Sequence, residues 1–308
     1  MNEHAAPQCH RPLRTVLIGS SLGEESDQVV RAGLAVARAA GARVVLVHAV
    51  SDPQIGTPDS DLWDNFTQEA VAAAREALAG QAGRLGIGEA ELAGTEAAAG
   101  AAHRVLVETA GTAGADLIVV GATGSGPLAA ELLGSTADRV LRKATCPVLL
   151  VRGELPVPPR RVLAPVDLSP LSGDAFRCGL DLLGQLAKGE EIEVRAVHAQ
   201  SFLDTLAIQR QQPGISSEEV ERHGAAELRR FVLESRAEAP FKVQTAILPG
   251  EARFEILADL EKHPADLVVL GTQGRSGLDR LMLGSVASTV ARKAPCSVLL
   301  ISPQAARA

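Results

Sequence analysis

The chain has 308 residues, a length that suits two domains of ordinary size. Apolar residues make up 46% and charged residues 22%, the balance of a globular protein, and the net charge of −7 speaks against a surface that coats nucleic acid. Aromatics are 2% with no tyrosine, which disfavours stacking platforms for bases or sugars and leaves the core to Ala, Val, Leu and Ile.

Residues 1–14 carry Glu3, His4, His10 and Pro12 and no apolar h-region, so they are not expected to be a secretory signal. No apolar run is long enough to span a membrane. Cysteines 9, 146, 178 and 296 show no C-x-x-C spacing and read as reduced thiols of a cytoplasmic protein. Cys9, His10 and His4 lack the context of a metal site and read as a tail. In the first half, strands are expected near 16–18, 44–47, 117–120 and 148–151. Trp63, the only tryptophan, falls in a stretch read as irregular, 51–65, as sheet-edge packing or part of a lid. A Pro-rich linker, Gly153-Glu-Leu-Pro-Val-Pro-Pro159, follows. In the second half, strands are expected at 161–166, 193–197, 243–248, 267–270 and 297–301. Helices are expected at 174–186, from Ser216 onward with capping chemistry, at 253–263 and at 285–293. Alternating strands and helices, with continuous apolar runs in the fourth strands, imply parallel doubly wound sheets.

The second half repeats the first. Ala115-Asp-Leu-Ile-Val-Val-Gly121 matches Ala265-Asp-Leu-Val-Val-Leu-Gly271, and Cys146 matches Cys296, all at one offset of 150. The offset holds from His48/His198 to the end of each half, with about half the positions identical in the final stretch. Such units are too large for a solenoid and read as tandem domains, 1–152 and 160–308.

After each fourth strand stands a glycine loop. It runs Gly271-Thr-Gln-Gly274, nine residues, then Gly284-Ser285; the first half has Gly121, Gly124, Gly134 and Ser135 at the same spacing. Strand, glycine loop and helix start make an anion site: glycines admit close backbone approach and positive φ, and free N–H groups at a helix start favour negative charge. Any one glycine or serine alone would read as a turn or an N-cap; the spacing found twice favours phosphate. It is not a Walker loop, because no Gly-Lys-Ser/Thr follows the glycines. Nor is it the Rossmann fingerprint, which would follow the first strand, where Pro165-Val-Asp-Leu-Ser169 stands. Arg275 reads equally as a phosphate partner or an exposed charge. His48 and His198, at matching strand ends, read as structural rather than catalytic.

G-x2-G-x9-G-S after an Asp-Leu-Ile/Val-Val strand, with Cys-Pro/Ser-Val-Leu-Leu beyond it, resembles the universal stress protein family. So does Val162-Leu-Ala-Pro-Val-Asp-Leu-Ser169. The resemblance implies an α/β fold: two doubly wound five-stranded parallel sheets with helices on both faces, packed as an intramolecular pseudo-dimer through the last strands, 148–151 and 298–301. A further homodimer is left open. It implies ATP, with Mg2+, as ligand. In the second domain Pro165, Val166, Asp167 and Ala199 would line the adenosine pocket, and Leu270, Gly271, Gly274, Gly284, Ser285 and Val286 the phosphates. In the first domain the corresponding set is Ser20, Ser21, Ala49, Val120, Gly121, Gly124, Gly134, Ser135 and Thr136. That domain departs from the pattern, because Ser20 or Ser21, depending on alignment, stands where Asp167 stands.

No nucleophile, acid–base pair or metal set repeats in both halves, so no catalytic or metal-ligating residue is assigned. The leading expectation is an ATP-binding regulatory protein of the stress response, with slow hydrolysis at most. The alternatives are a weak ATPase or self-phosphorylating enzyme, with Ser135, Ser285 or Thr136 as acceptor, and a protein-interaction scaffold without nucleotide.

Overall fold

The computed structural model describes residues 11–51, 60–123, 133–235, 241–274 and 283–306, with the backbone alone for 60–64. Two compact units divide the chain, one over Pro12–Val157 and one containing Pro158–Ala308.

The first unit runs β1 (Thr15–Gly19), α1 (Glu24–Ala40), β2 (Arg43–Val50), α2 (Ser60–Arg84), β3 (Leu92–Ala99), α3 (Ala102–Thr112), β4 (Leu117–Gly121), α4 (Ser135–Lys143) and β5 (Val148–Val151). Its strands lie in the order β3-β2-β1-β4-β5, all parallel. Val16, Leu17 and Ile18 are all fully buried. Successive strand residues face opposite sides, so both faces of the sheet are covered, as a parallel sheet requires.

The second unit runs β6 (Arg161–Pro165), α5 (Pro170–Ala187), β7 (Glu193–Gln200), α6 (Phe202–Gln211), α7 (Ser217–Ser235), β8 (Lys242–Pro249), α8 (Ala252–Lys262), β9 (Leu267–Gly271), α9 (Ser285–Lys293) and β10 (Ser297–Ile301). Its parallel order is β8-β7-β6-β9-β10. In each unit the strand order reverses beside the first strand, and the crevice at the strands' carboxyl ends there is where open α/β sheets bind ligands.

The repeated Ala-Asp-Leu of each fourth strand has a structural cause. Asp116 Oδ2 accepts the N–H groups of Arg14 (2.8 Å) and Thr15 (3.0 Å), and Asp266 Oδ2 those of Arg160 and Arg161 (both 2.8 Å). Each carboxylate thereby holds the start of the first strand beside the fourth. Gly33 of α1 and Gly179 of α5 let those helices sit closely on the sheet: a Cβ at Gly33 would meet the Ile18 side chain, and one at Gly179 that of Val269.

Several expectations change. The stretch read as irregular, 51–65, is helical from Ser60, because α2 starts there; the Trp63 side chain lies outside the described residues. Helix α5 starts at Pro170, four residues before the expected 174, because Ser169 caps it, accepting from Ser172 N, and proline suits the first helical turn. Helix α6 was not expected; its capping box joins Ser201 and Asp204. A reciprocal box also opens α7, with Ser216 N donating to Glu219 Oε2 (2.9 Å) and Glu219 N to Ser216 Oγ (3.2 Å). Cys178 of α5 is disulfide-bonded, so the reading of four reduced thiols fails there; a pairing between remote positions leaves no spacing signal. Cys146 and Cys296 form no disulfide, and Cys9 lies outside the described residues, as do His4, His10 and Arg275.

Candidate functional site

The site of the second unit is built from the carboxyl ends of β6, β7 and β9 and the start of α9. Val166 N donates to Val197 O (2.8 Å), and His198 Nδ1 donates to Val166 O (2.8 Å), so the buried imidazole ties the end of β7 to the end of β6. The chain then passes Asp167 and turns through Leu168, whose φ of 63° is left-handed. Asp167 Oδ1 accepts from Ser169 N (3.0 Å) and Ser169 Oγ (2.6 Å), which fixes the carboxylate.

Beyond β9 the glycine loop closes on itself. Thr272 N donates to Ile301 O (3.0 Å) and Gly284 N to Thr272 O (2.8 Å), which brings the start of α9 against the end of β9. Gly284 is the N-cap, with no side chain to cover the first N–H groups of the helix, and Ser285 is its first residue rather than a cap. Those N–H groups have no partner inside the helix and carry its positive dipole end.

The glycines are needed for room, not for a left-handed backbone. Gly284 has φ −56°, and neither Gly271 nor Gly274 has positive φ. A Cβ on Gly271 would meet the Ala175 Cβ at 3.2 Å, one on Gly284 the Thr272 O at 3.1 Å, and one on Gly274 the Asp167 carboxylate. The expectation of positive φ here is corrected: extended backbone suffices, and close approach is what excludes a side chain.

One cavity of about 310 Å³ is lined by Pro165, Val166, Asp167, Ala199, Leu270, Gly271, Gly274, Gly284, Ser285 and Val286, so every site residue expected in this unit meets there. His198, Ser172 and Ile256 join the lining. Chemically it offers an apolar slot, one carboxylate and a helix start able to hold an anion.

The first unit repeats the frame. Ser20 N donates to Val47 O (2.8 Å), His48 Nδ1 to Ser20 O (2.8 Å), Ala122 N to Val151 O (3.0 Å) and Gly134 N to Ala122 O (2.9 Å). Leu22, at φ 67°, takes the turn of Leu168. These equivalences settle the alignment that sequence left open: Ser20 corresponds to Val166 and Ser21 to Asp167. Ser20 is turned into a buried network, donating to Gln81 Oε1 (2.7 Å), while Gln81 Nε2 donates to Ser26 Oγ (3.1 Å) and Asp27 Oδ1 (2.7 Å). The Gln81 bond, with Arg84 adding to it, holds the Asp27 carboxyl below its usual range against the effect of burial.

A cavity of about 840 Å³ is lined by Ser20, Ser21, Ala49, Val120, Gly121, Gly134, Ser135 and Thr136. Gly124 lies outside the described residues. Glu25 and Arg152 also line it, and neither was expected from sequence. Among the described residues no group of three or more His, Cys, Asp or Glu side chains could hold a metal, and no helix is long and apolar enough to cross a membrane.

The sequence model of the Universal stress protein family matches residues 12–152 and again 159–302. The chain belongs to the universal stress protein family. Two family domains therefore stand in tandem. Universal stress protein Rv2005c of Mycobacterium tuberculosis is 30% identical over 190 residues, covering 60% of this chain; the chain spans only 61% of that relative's length. A universal stress protein of Mycolicibacterium smegmatis is 28% identical over 305 residues, 94% of this chain and 97% of the relative. The crystal structure of a universal stress protein from Archaeoglobus fulgidus shares the fold, with a TM-score of 0.63 at 21% identity over 93% of this chain and 95% of that one.

Proposed function

We propose that this universal stress protein is an ATP-binding regulatory module, with the second unit holding ATP·Mg2+ and the first an adenine nucleotide. The observation that carries the reading is convergence: strand ends, carboxylate, glycine loop and uncapped helix start of the second unit line one cavity. Its volume falls within the roughly 300–1,000 Å³ of small-molecule sites. The loop and the N-terminus of α9 would take the phosphates, the apolar slot at Val166 and Ala199 the adenine, and Asp167 the ribose hydroxyls. Mg2+ would arrive bound to the phosphate oxygens, since it keeps most of its own water and needs few protein ligands. Nucleotide occupancy would then bias stability and partner choice through linkage.

The domains that carry this function are assigned as 1–152 and 160–308, paired through their last strands as a pseudo-dimer, in the cytoplasm; a further homodimer is left open. A thermal melt tests the ligand. ATP·Mg2+ should raise the midpoint in a saturable way, where Mg2+ alone does not. A midpoint indifferent to ATP at millimolar concentration contradicts the proposal.

A further inference from the structure

The two units hold their carboxylates differently. In the second, Asp167 lies directly after Val166 and is fixed by Ser169, the N-cap of α5. In the first, Ser21 occupies the Asp167 position and Gly23 the Ser169 position, as the N-cap of α1. An aspartate there would find no hydroxyl to hold it. The serine hydroxyl instead donates to Glu25 Oε1 (3.3 Å), one helical turn on. The Glu25 carboxylate lies over Gly23, so closely that a Cβ at that glycine would collide with it. Both Ser21 and Glu25 line the cavity that holds Gly121 and Gly134. The position matching Glu25 in the second unit is Leu171, which has no charge to offer.

We propose that Glu25 is the sugar-recognition residue of the first unit, supplying from the first turn of α1 the carboxylate that Asp167 supplies in the second. This rests on the reading that the first unit takes an adenine nucleotide. The three differences form one exchange: Asp to Ser removes the carboxylate, Leu to Glu restores it from the helix, and Ser to Gly clears the space it occupies. A carboxylate accepts from both hydroxyls of a ribose cis-diol, and these charge-assisted bonds are the stronger class. The ligand of the first unit is therefore a ribonucleotide with free 2′ and 3′ hydroxyls.

The test uses the full chain with Gly274→Val, which closes the second site, and compares ATP with 2′,3′-dideoxy-ATP by calorimetry. Glu25 is exposed, so Glu25→Gln should fold, and a thermal melt checks it. The expected result is one equivalent of ATP bound, with Glu25→Gln weakening ATP about tenfold or more and leaving dideoxy-ATP unchanged. An ATP affinity unchanged or tightened by Glu25→Gln overturns the role of Glu25 while leaving the site in place. An equal loss for both nucleotides also overturns it, because the diol is then not what Glu25 reads. A Gly274→Val chain that binds no ATP overturns the nucleotide site of the first unit itself, and the role of Glu25 with it.

Discussion

Gly274 runs against Asp167: a Cβ on the glycine would fall on the carboxylate. The loop and the end of the first strand are thus packed on each other before any ligand arrives. The other carboxylate oxygen is held by Ser169, which also caps α5. Ser169→Ala removes the cap and the hydroxyl bond to Asp167, leaving only the bond from the backbone N–H. It should lower stability by about 1 kcal/mol, measured by denaturant melt, and weaken ATP binding as well. Unchanged ATP affinity would show that the Asp167 conformation does not matter to the ligand.

Asp266 should matter to folding rather than to ligand. Its carboxylate accepts two backbone N–H groups at the start of β6. Asp266→Ala should cost about 1–3 kcal/mol in urea unfolding. The same change at Asp116 should destabilise the first unit in like manner.

Cys146 should be inert. Burial, aided by the Asp116 charge, pushes its thiol up to about 12. Iodoacetamide at pH 8 should label it at least about a hundredfold more slowly in the native protein than after unfolding. Comparable rates in the two states would contradict the burial argument.

Glu91 gives the first unit an acid-side dependence. Its carboxyl is lowered from the ordinary 4.5 to about 2, first by the Arg38 side chain and then by Gly88 N–H. A carboxyl depressed on folding contributes stability above 4.5 that is lost as pH falls toward 2. An acid titration of the midpoint should therefore be shallower for Arg38→Met than for the unchanged chain across that window. Parallel curves would contradict the pairing.

Much of this was legible in sequence because it repeats. Apart from β3, whose Leu92–Ala99 has no apolar run and was not expected, the strands, α9 and the glycine spacing follow from apolar runs and from a motif found twice in register. Helix α6 was hidden because none of its residues is buried, so it has no apolar stripe to read. Glu25 was hidden for a different reason. Its link to the strand end is a contact, the Ser21 hydroxyl donating to Glu25 across a left-handed turn at Leu22, and a linear comparison pairs Asp167 with serine. The rationale for the glycines was also incomplete, since only the packing of Gly274 on Asp167 reveals that room rather than φ is the constraint.

Titrating the full chain with ATP·Mg2+ in a calorimeter beside Gly274→Val counts the nucleotide sites of the two units. Two equivalents are expected for the unchanged chain and one for the variant, because a valine side chain cannot share the space of the Asp167 carboxylate and a phosphate. No heat of binding from a chain freed of nucleotide, or a variant that binds as the unchanged chain does, would contradict the proposed function.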